Sequence, residues 1–116
     1  MRVIICDDSG VRYMSIASNT ASLQSVVGGN VMFKQYRKGV VFYNERMAMN
    51  GNCNGTIIIA GWSGDYFCDI DVEECEIITR ALSEEYKKIG RYDGKRIFKQ
   101  TNDFAKKNKQ AKGTTF

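Results

Sequence analysis

One long amphipathic helix constrains the fold of this chain more than any other sequence feature. In residues 72–89, apolar side chains recur at steps of three and four, which is the spacing of one face of an α-helix. These residues are Cys75, Ile78, Leu82, Tyr86 and Ile89. Asp71 and Glu74 resemble a capping box at the start, and Gly90 provides a stop at the end. The pattern predicts a helix whose apolar stripe must be buried against other elements.

The remaining apolar segments are short runs separated by turn residues, a pattern typical of β-strands. The runs cover residues 2–6, 11–16, 30–36, 40–44 and 56–60. A short helix is predicted between the second and third runs, with Asn19 or Thr20 as its N-cap and Gly28 as its left-handed C-terminal residue. We therefore expect an α+β fold: a small, mainly antiparallel sheet of about four to five strands, a short helix and one longer C-terminal amphipathic helix.

Charge divides the chain into two parts. Residues 91–116 contain eight Lys or Arg against two Asp, a net charge of +6, whereas residues 1–90 carry a net charge of −2. This shift predicts a compact domain over 1–90 and a basic tail over 91–116, disordered in part and docked in part through Ile97, Phe98 and Phe104. No apolar run approaches the ~20 residues of a membrane helix, and acidic residues follow the first strand too early for a signal peptide. We expect a cytoplasmic protein.

The cysteine and histidine content limits the chemistry that the chain can perform. Its four cysteines are Cys6, Cys53, Cys68 and Cys75, and it has no histidine. The nearest two cysteines are seven residues apart, which does not fit the close pairs of zinc sites, so structural thiols are favoured over zinc or disulfides. Without histidine the commonest general base is missing. We expect a non-catalytic protein with no catalytic residues, no metal and no cofactor.

Two motifs resemble a domain family of unknown function that is common in bacteriophages, plasmids and Gram-positive gut bacteria. The first is an LQxxVGG pattern at residues 23–29, where the short helix ends. The second is the pair Asn44-Glu45, followed by a lone asparagine, Asn50 or Asn52. A strand ending in Gly and a closing helix complete the family pattern, so the resemblance covers about residues 1–83. The loop after Asn44-Glu45 departs from it, because the family has a longer Gly-Leu-Pro-x-Asn stretch and this chain has no proline.

The resemblance implies the context of a phage or mobile-element accessory protein. Such proteins disable host defences, and some look-alikes have been linked to CRISPR inhibition. The expected function is therefore that of an anti-defence, anti-CRISPR type inhibitor, which binds a host Cas nuclease through a protein interface in the bacterial cytoplasm. No catalytic residues are established for the family, so the resemblance assigns none here.

Aromatic residues on a glycine-flanked loop, residues 61–67, form the first candidate partner-binding site. Trp62, Tyr66 and Phe67 are of the types that anchor protein interfaces, although the same side chains could fold back into the core. The resemblance covers the domain as a shared scaffold, so this protein's own specificity is expected in the tail and in the loops around Asn50 and Trp62.

Two polar groups are further candidates. Asn44, Glu45 and Arg46 either contact a ligand or fix the next turn through side-chain hydrogen bonds. The tail either contacts nucleic acid or an acidic partner or only favours solubility. Its candidate contact residues are Lys95, Arg96, Lys99, Lys106, Lys107 and Lys109.

Two other functions remain open on the sequence. One is a sponge that sequesters a nucleotide immune signal, with basic groups for phosphate and aromatic rings for the base. Its residues would be Arg12, Lys34, Tyr36, Arg37 and Lys38. The other is a small nucleic-acid-binding accessory protein. Acidic helix faces and the basic tail also allow pairing between copies, so a homodimer is a further alternative.

Overall fold

The computed structural model describes residues 1–7, 9–46, 55–64, 66–89, 97 and 101–102. These residues form two helices, α1 (Thr20–Val27) and α2 (Val72–Ile89), and a sheet. The strands are β1 (Arg2–Asp7), β2 (Gly10–Ser15), β3 (Val31–Tyr36), β4 (Gly39–Asn44), β5 (Ile57–Trp62), β6 (Phe67–Cys68) and β7 (Thr101–Asn102). The α+β class is confirmed. All five predicted strands form, and two strands of two residues each, β6 and β7, were not predicted.

The strand order of the sheet is β2-β1-β5-β4-β3-β7, and β6 pairs with the end of β5. Every pairing within the described residues is antiparallel. Sequence neighbours β1 and β2, and likewise β3 and β4, form hairpins, whereas β5 inserts between the two hairpins and joins them. The core therefore centres on β1, β5 and β4.

Both faces of these central strands are buried. In β5, Ile57 and Ile59 pack in the cluster that contains Ile78 and Leu82 of α2. Ile58 and Ala60 pack in the opposite cluster, which contains Leu23 and Val27 of α1. Successive side chains of a strand point to opposite faces, so burial on both sides explains why residues 40–43 and 57–60 are apolar without alternation.

The short helix α1 is held at both ends by the residues that the sequence predicts. The Asn19 side chain accepts a hydrogen bond from the backbone N–H of Ser22 at 2.8 Å, which satisfies a free donor of the first turn. Gly28 has φ = 83°, a left-handed conformation, and its N–H donates to the Gln24 carbonyl at 2.8 Å. Leu23 and Val27 point into the core.

The helix α2 begins at the predicted residue but is capped differently from the prediction. The Asp71 carboxylate accepts a hydrogen bond from the Glu74 backbone N–H at 3.3 Å. The Glu74 side chain does not return to the cap. It accepts two hydrogen bonds from Arg37, at 2.9 and 3.0 Å, and thereby ties α2 to the β3–β4 turn.

Parts of the segment that was predicted as a tail join the domain. Ile97 is buried in the cluster on the α2 side. Thr101 pairs with Tyr36, and Asn102 pairs with Gln35, which places β7 beside β3. The rest of residues 90–116 lies outside the described residues, as does the asparagine- and glycine-rich loop at 50–54.

The Arg37–Glu74 pair is expected to make stability depend on pH. The Glu74 side chain is 7% exposed and that of Arg37 is 42% exposed. Hydrogen bonds from Arg37 hold the pKa of Glu74 below its ordinary value of 4.5, although burial opposes this shift. Because the pKa is lower in the folded state, the stabilisation is complete above pH 4.5 and is lost as the pH falls through the folded-state pKa.

We expect Glu74→Gln to lower the free energy of unfolding by about 1–2 kcal/mol at pH 7, allowing for the solvent exposure of Arg37. At pH 3 the loss should be smaller, because the carboxyl group of the unfolded chain is then largely protonated, and folding has to release that proton before the ion pair can form. Urea unfolding at pH 7, 5 and 3 measures the difference, and the exposed neighbour substitution Glu73→Gln is the control. An equal loss at all three pH values would contradict the prediction.

Candidate functional site

The segment that carries the predicted aromatic site is a β-hairpin and not an open loop. Trp62 of β5 pairs with Phe67 of β6, and Gly61 pairs with Cys68. Inside the hairpin, both the backbone N–H and the hydroxyl of Ser63 donate to the Tyr66 carbonyl, at 2.9 and 3.1 Å. The loop prediction for residues 61–67 was therefore wrong at both ends, because strand pairing fixes Trp62 and Phe67.

Four aromatic rings from four strands meet on the α1 side of the sheet. We call this cluster the aromatic surface; it consists of Phe33, Phe42, Trp62 and Phe67. The buried Phe42 lies in the middle, with its ring centroid 5.9 Å from that of Phe33 and 5.2 Å from that of Phe67. Phe33 stacks on Trp62 with centroids 5.9 Å apart and an angle of 29° between the rings. These contacts hold the rings in fixed relative positions.

The outer part of the aromatic surface is open to solvent. Phe33 is 46% exposed, and Tyr66, in the adjoining hairpin, is 63% exposed. Trp62 and Phe67 are half-buried against the α1-side cluster. Of the three aromatic residues predicted as a partner site, the structure thus places Trp62 and Phe67 in one cluster, with Tyr66 beside them in the chain.

Phe33 is the exposed member of this surface that the sequence analysis missed; the buried Phe42 was also not among the candidate residues. The position of Phe33 in the surface depends on strand alternation and on which strands are neighbours, and the sequence indicates only part of this. Strand alternation puts Phe33 on the same face as Val31, and the β3–β4 register puts it directly opposite Phe42. The contact with Trp62, however, needs β5 to pair with β4, a neighbour relation that the pattern of runs does not contain.

The basic residues that were considered for a nucleotide do not gather at the aromatic surface. Lys34 follows Phe33 in β3 and so points to the opposite face, where Tyr36 is buried. Arg37 pairs with Glu74 on the α2 side, and Arg12 pairs with Asp7 at 2.7 Å. Lys38 lines a small cavity of about 120 Å³ whose lining includes Tyr36, Ile59 and Ile78 of the α2-side cluster.

The polar candidates Asn44, Glu45 and Arg46 lie at the opposite end of β4, in a second site. Together with Gly28 and its neighbours they line an open cleft of about 610 Å³. The lining residues are Gly28, Gly29, Asn30, Asn44, Glu45 and Arg46. The cleft therefore brings together the two sequence motifs that carry the family resemblance, the end of LQxxVGG and the Asn-Glu pair.

Asn44 has a structural role in this cleft. Its side-chain N–H donates to the Val27 carbonyl at 3.1 Å, which satisfies a carbonyl that the end of α1 leaves without a helical partner. Its side-chain oxygen accepts from the Arg46 backbone N–H at 2.9 Å and so shapes the turn after β4. A Cβ on Gly29 would lie 2.9 Å from the Asn44 side-chain nitrogen, so glycine leaves room for that amide.

The described thiols are consistent with the structural interpretation of the cysteines. Cys6, Cys68 and Cys75 are free. Burial raises the pKa of the Cys6 thiol to about 12, which keeps it protonated at neutral pH. Cys53 and the tail residues Lys95, Arg96, Lys99, Lys106, Lys107 and Lys109 lie outside the described residues.

Comparison with known proteins leaves the family open. No protein-family model, no curated protein and no solved structure matches the chain. The resemblance at residues 23–29 and at Asn44-Glu45 stays a prediction. Within the described part of the chain, no helix is long and apolar enough to cross a membrane.

Replacement of Asn44 tests whether the second motif is structural. Asn44→Ala removes the bonds to Val27 and Arg46 and leaves the half-buried Val27 carbonyl without this donor. We expect a loss of about 1–2 kcal/mol in the free energy of unfolding, measured by urea denaturation. Glu45→Ala, at an exposed neighbour in the same cleft, is the control and should change stability little. Equal stability of Asn44→Ala and wild type would contradict the structural role.

Proposed function

We propose that this protein is a non-catalytic anti-defence protein of a phage or mobile element. It binds a host defence protein through the aromatic surface, and the specific partner that we propose is a Cas nuclease. The observation that carries the binding site is the stack of Phe33 on Trp62, in which Phe33 is 46% exposed. A protein interface of this kind needs rigid aromatic anchors at its centre.

Rigidity supports a role of this surface in recognition. Phe33 and Trp62 lie on β3 and β5, the strands on either side of β4, and the buried Phe42 of β4 contacts both Phe33 and Phe67. A ring that is already held in its bound position loses little conformational entropy when a partner covers it. An exposed aromatic cluster on a sheet also serves in single-stranded nucleic-acid recognition.

The position of the charges favours a protein partner over a nucleotide at this surface. Stacked bases need free ring faces with cationic groups nearby for the phosphates. Here one face of each ring in the Phe33–Trp62 stack is occupied by the other ring. Arg12 and Arg37 are engaged with Asp7 and Glu74. The nucleotide sponge is therefore the weaker alternative.

The identity of the partner class rests on the family resemblance alone. That resemblance leads to a host defence nuclease as target and to the bacterial cytoplasm as the site of action. The basic tail fits the same target, because its lysines can contact acidic or nucleic-acid-bearing regions of a nuclease.

Substitution of Phe33 is the sharpest test of the proposed interface. Met32 is its matched control: the two residues are neighbours in β3, are 45% and 46% exposed, and point to opposite faces. We expect Phe33→Ala to raise the Kd for the partner about 30-fold or more, which corresponds to a hot-spot residue. Met32→Ala should leave the Kd within about twofold.

Binding and cleavage assays with a panel of Cas nucleases from Gram-positive gut bacteria provide the measurement. Wild-type protein should bind and inhibit at least one nuclease, and Trp62→Ala should weaken both effects. Urea denaturation of each variant separates a lost contact from a lost fold. If no nuclease of the panel is bound, the anti-CRISPR function is rejected. If one is bound equally well by Phe33→Ala, the aromatic surface is rejected as the interface.

A further inference from the structure

Strand β2 forms one edge of the sheet, and its outer side carries no strand within the described residues. All six of its residues pair with β1 in one continuous register, without a bulge. Natural edge strands are usually protected by bulges, prolines, charged side chains or short length. The chain has no proline, and Arg12, the single charged residue of β2, is bound to Asp7 at 2.7 Å. This edge is therefore open to a further strand.

The hydrogen bonds to β1 show which backbone groups of β2 point outward. The terminal amine of Met1 donates to the Ile16 carbonyl at 2.6 Å, and the Ile16 N–H donates to the Met1 carbonyl at 2.9 Å. In an antiparallel pair, residues that exchange bonds in this way alternate with residues that do not. The N–H and C=O groups of Val11, Tyr13 and Ser15 therefore point away from β1, toward the open edge.

We propose that β2 pairs antiparallel with β2 of a second copy, about a two-fold axis that passes Tyr13. Outward-facing residues must lie opposite each other for the bonds to form, so the axis can pass residue 12, 13 or 14. At Tyr13 it gives three bonded pairs within β2: Val11 with Ser15, Tyr13 with itself, and Ser15 with Val11. Either alternative gives two, and an axis at Arg12 would also place like charges opposite each other.

The side chains along this edge support a second copy as the occupant. Tyr13 is 51% exposed and Met14 is 42% exposed, and they point to opposite faces of the strand. In the proposed register the two Tyr13 rings meet across the axis as an aromatic pair. Each Arg12 lies opposite Met14 of the other copy, so its aliphatic stem can cover that side chain. The strand is thus complementary to itself.

The helix α2 leaves room for this pairing. Val11 packs against the cluster that α2 covers, whereas residues 12–15 are exposed. Because the two strands are antiparallel, the covered end of one faces the exposed end of the other. The aromatic surface lies on other strands of the sheet and stays open in both copies. This dimer differs from the one that the charge pattern of the sequence allows, because it uses the sheet edge and not the tail.

Amide hydrogen exchange, measured by NMR on the full chain at increasing protein concentration, tests whether a second copy covers the edge. Protection of the outward amides of Val11, Tyr13 and Ser15 should rise about tenfold or more. The amides of Arg12 and Met14 bond to β1 and are the internal control, since they should be protected at every concentration. Outward amides whose protection does not change with concentration would overturn the proposal: if unprotected, the edge is empty, and if protected, the same molecule covers it.

Charges at residue 13 test the position of the axis, because this residue lies opposite itself. Tyr13→Glu or Tyr13→Lys alone should raise the Kd of self-association about tenfold or more, since like charges then face each other. An equal mixture of the two variants should associate again, because opposite charges meet. Met32→Glu, at a strand residue that is 45% exposed and lies away from β2, is the control and should leave the Kd unchanged.

Met14→Glu distinguishes this axis from one at residue 14. It places a carboxylate opposite Arg12 of the other copy, so the Kd should fall about threefold or more, whereas an axis at residue 14 would bring two carboxylates together and raise it. Sedimentation velocity measures all these constants, and urea denaturation checks that each variant is folded. A mixture of the two Tyr13 variants that stays monomeric would overturn the axis at Tyr13. No nuclease enters these measurements, so the pairing and the proposed function stand or fall separately.

Discussion

Burial of the central strands on both faces is the constraint on which the rest of this structure depends. An antiparallel sheet commonly exposes one face to water, but β1, β5 and β4 carry apolar side chains at successive positions, and nearly all of these are buried. Each face then needs its own cover. The eighteen residues of α2 form a helix of about 27 Å, which is longer than a strand of six residues at about 20 Å. The eight residues of α1 span only about 12 Å, so α1 leaves part of its face of the sheet uncovered.

The aromatic surface is the consequence of that short helix. Large flat rings complete the cover of the α1-side face where α1 does not reach, and Phe42 joins them to the core. Because the rings that finish a core also lie at its border with solvent, Phe33 is at once part of the packing and available to a partner. The same geometry explains why Trp62 satisfies both interpretations that the sequence left open, interface anchor and core residue.

The two motifs that carry the family resemblance have a physical reason to occur together. Gly28 ends α1 in a left-handed conformation, Gly29 makes room for the Asn44 amide, and Asn44 binds the last turn of α1. They form one joint between a helix end and a strand end, although Asn44 follows Gly29 by fifteen positions in the chain. A motif of this kind is explained by the fold, whereas the side chains of Glu45 and Arg46 are exposed in the cleft.

The sequence by itself determined the elements, and the tertiary structure decided what they expose. Periodicity placed α2 from Val72 to Ile89, and cap residues placed both ends of α1, because these signals act between residues that are close in the chain. Sequence reasoning also selected Trp62 and Phe67, since residue type alone marks them. It missed Phe33, assigned Glu74 to a cap and left residues 61–67 as a loop. Each of those depends on which strands become neighbours: β5 beside β4, β6 beside β5, and the β3–β4 turn beside α2. Contacts between distant segments arise from the simultaneous burial of two faces, and no local pattern encodes that choice.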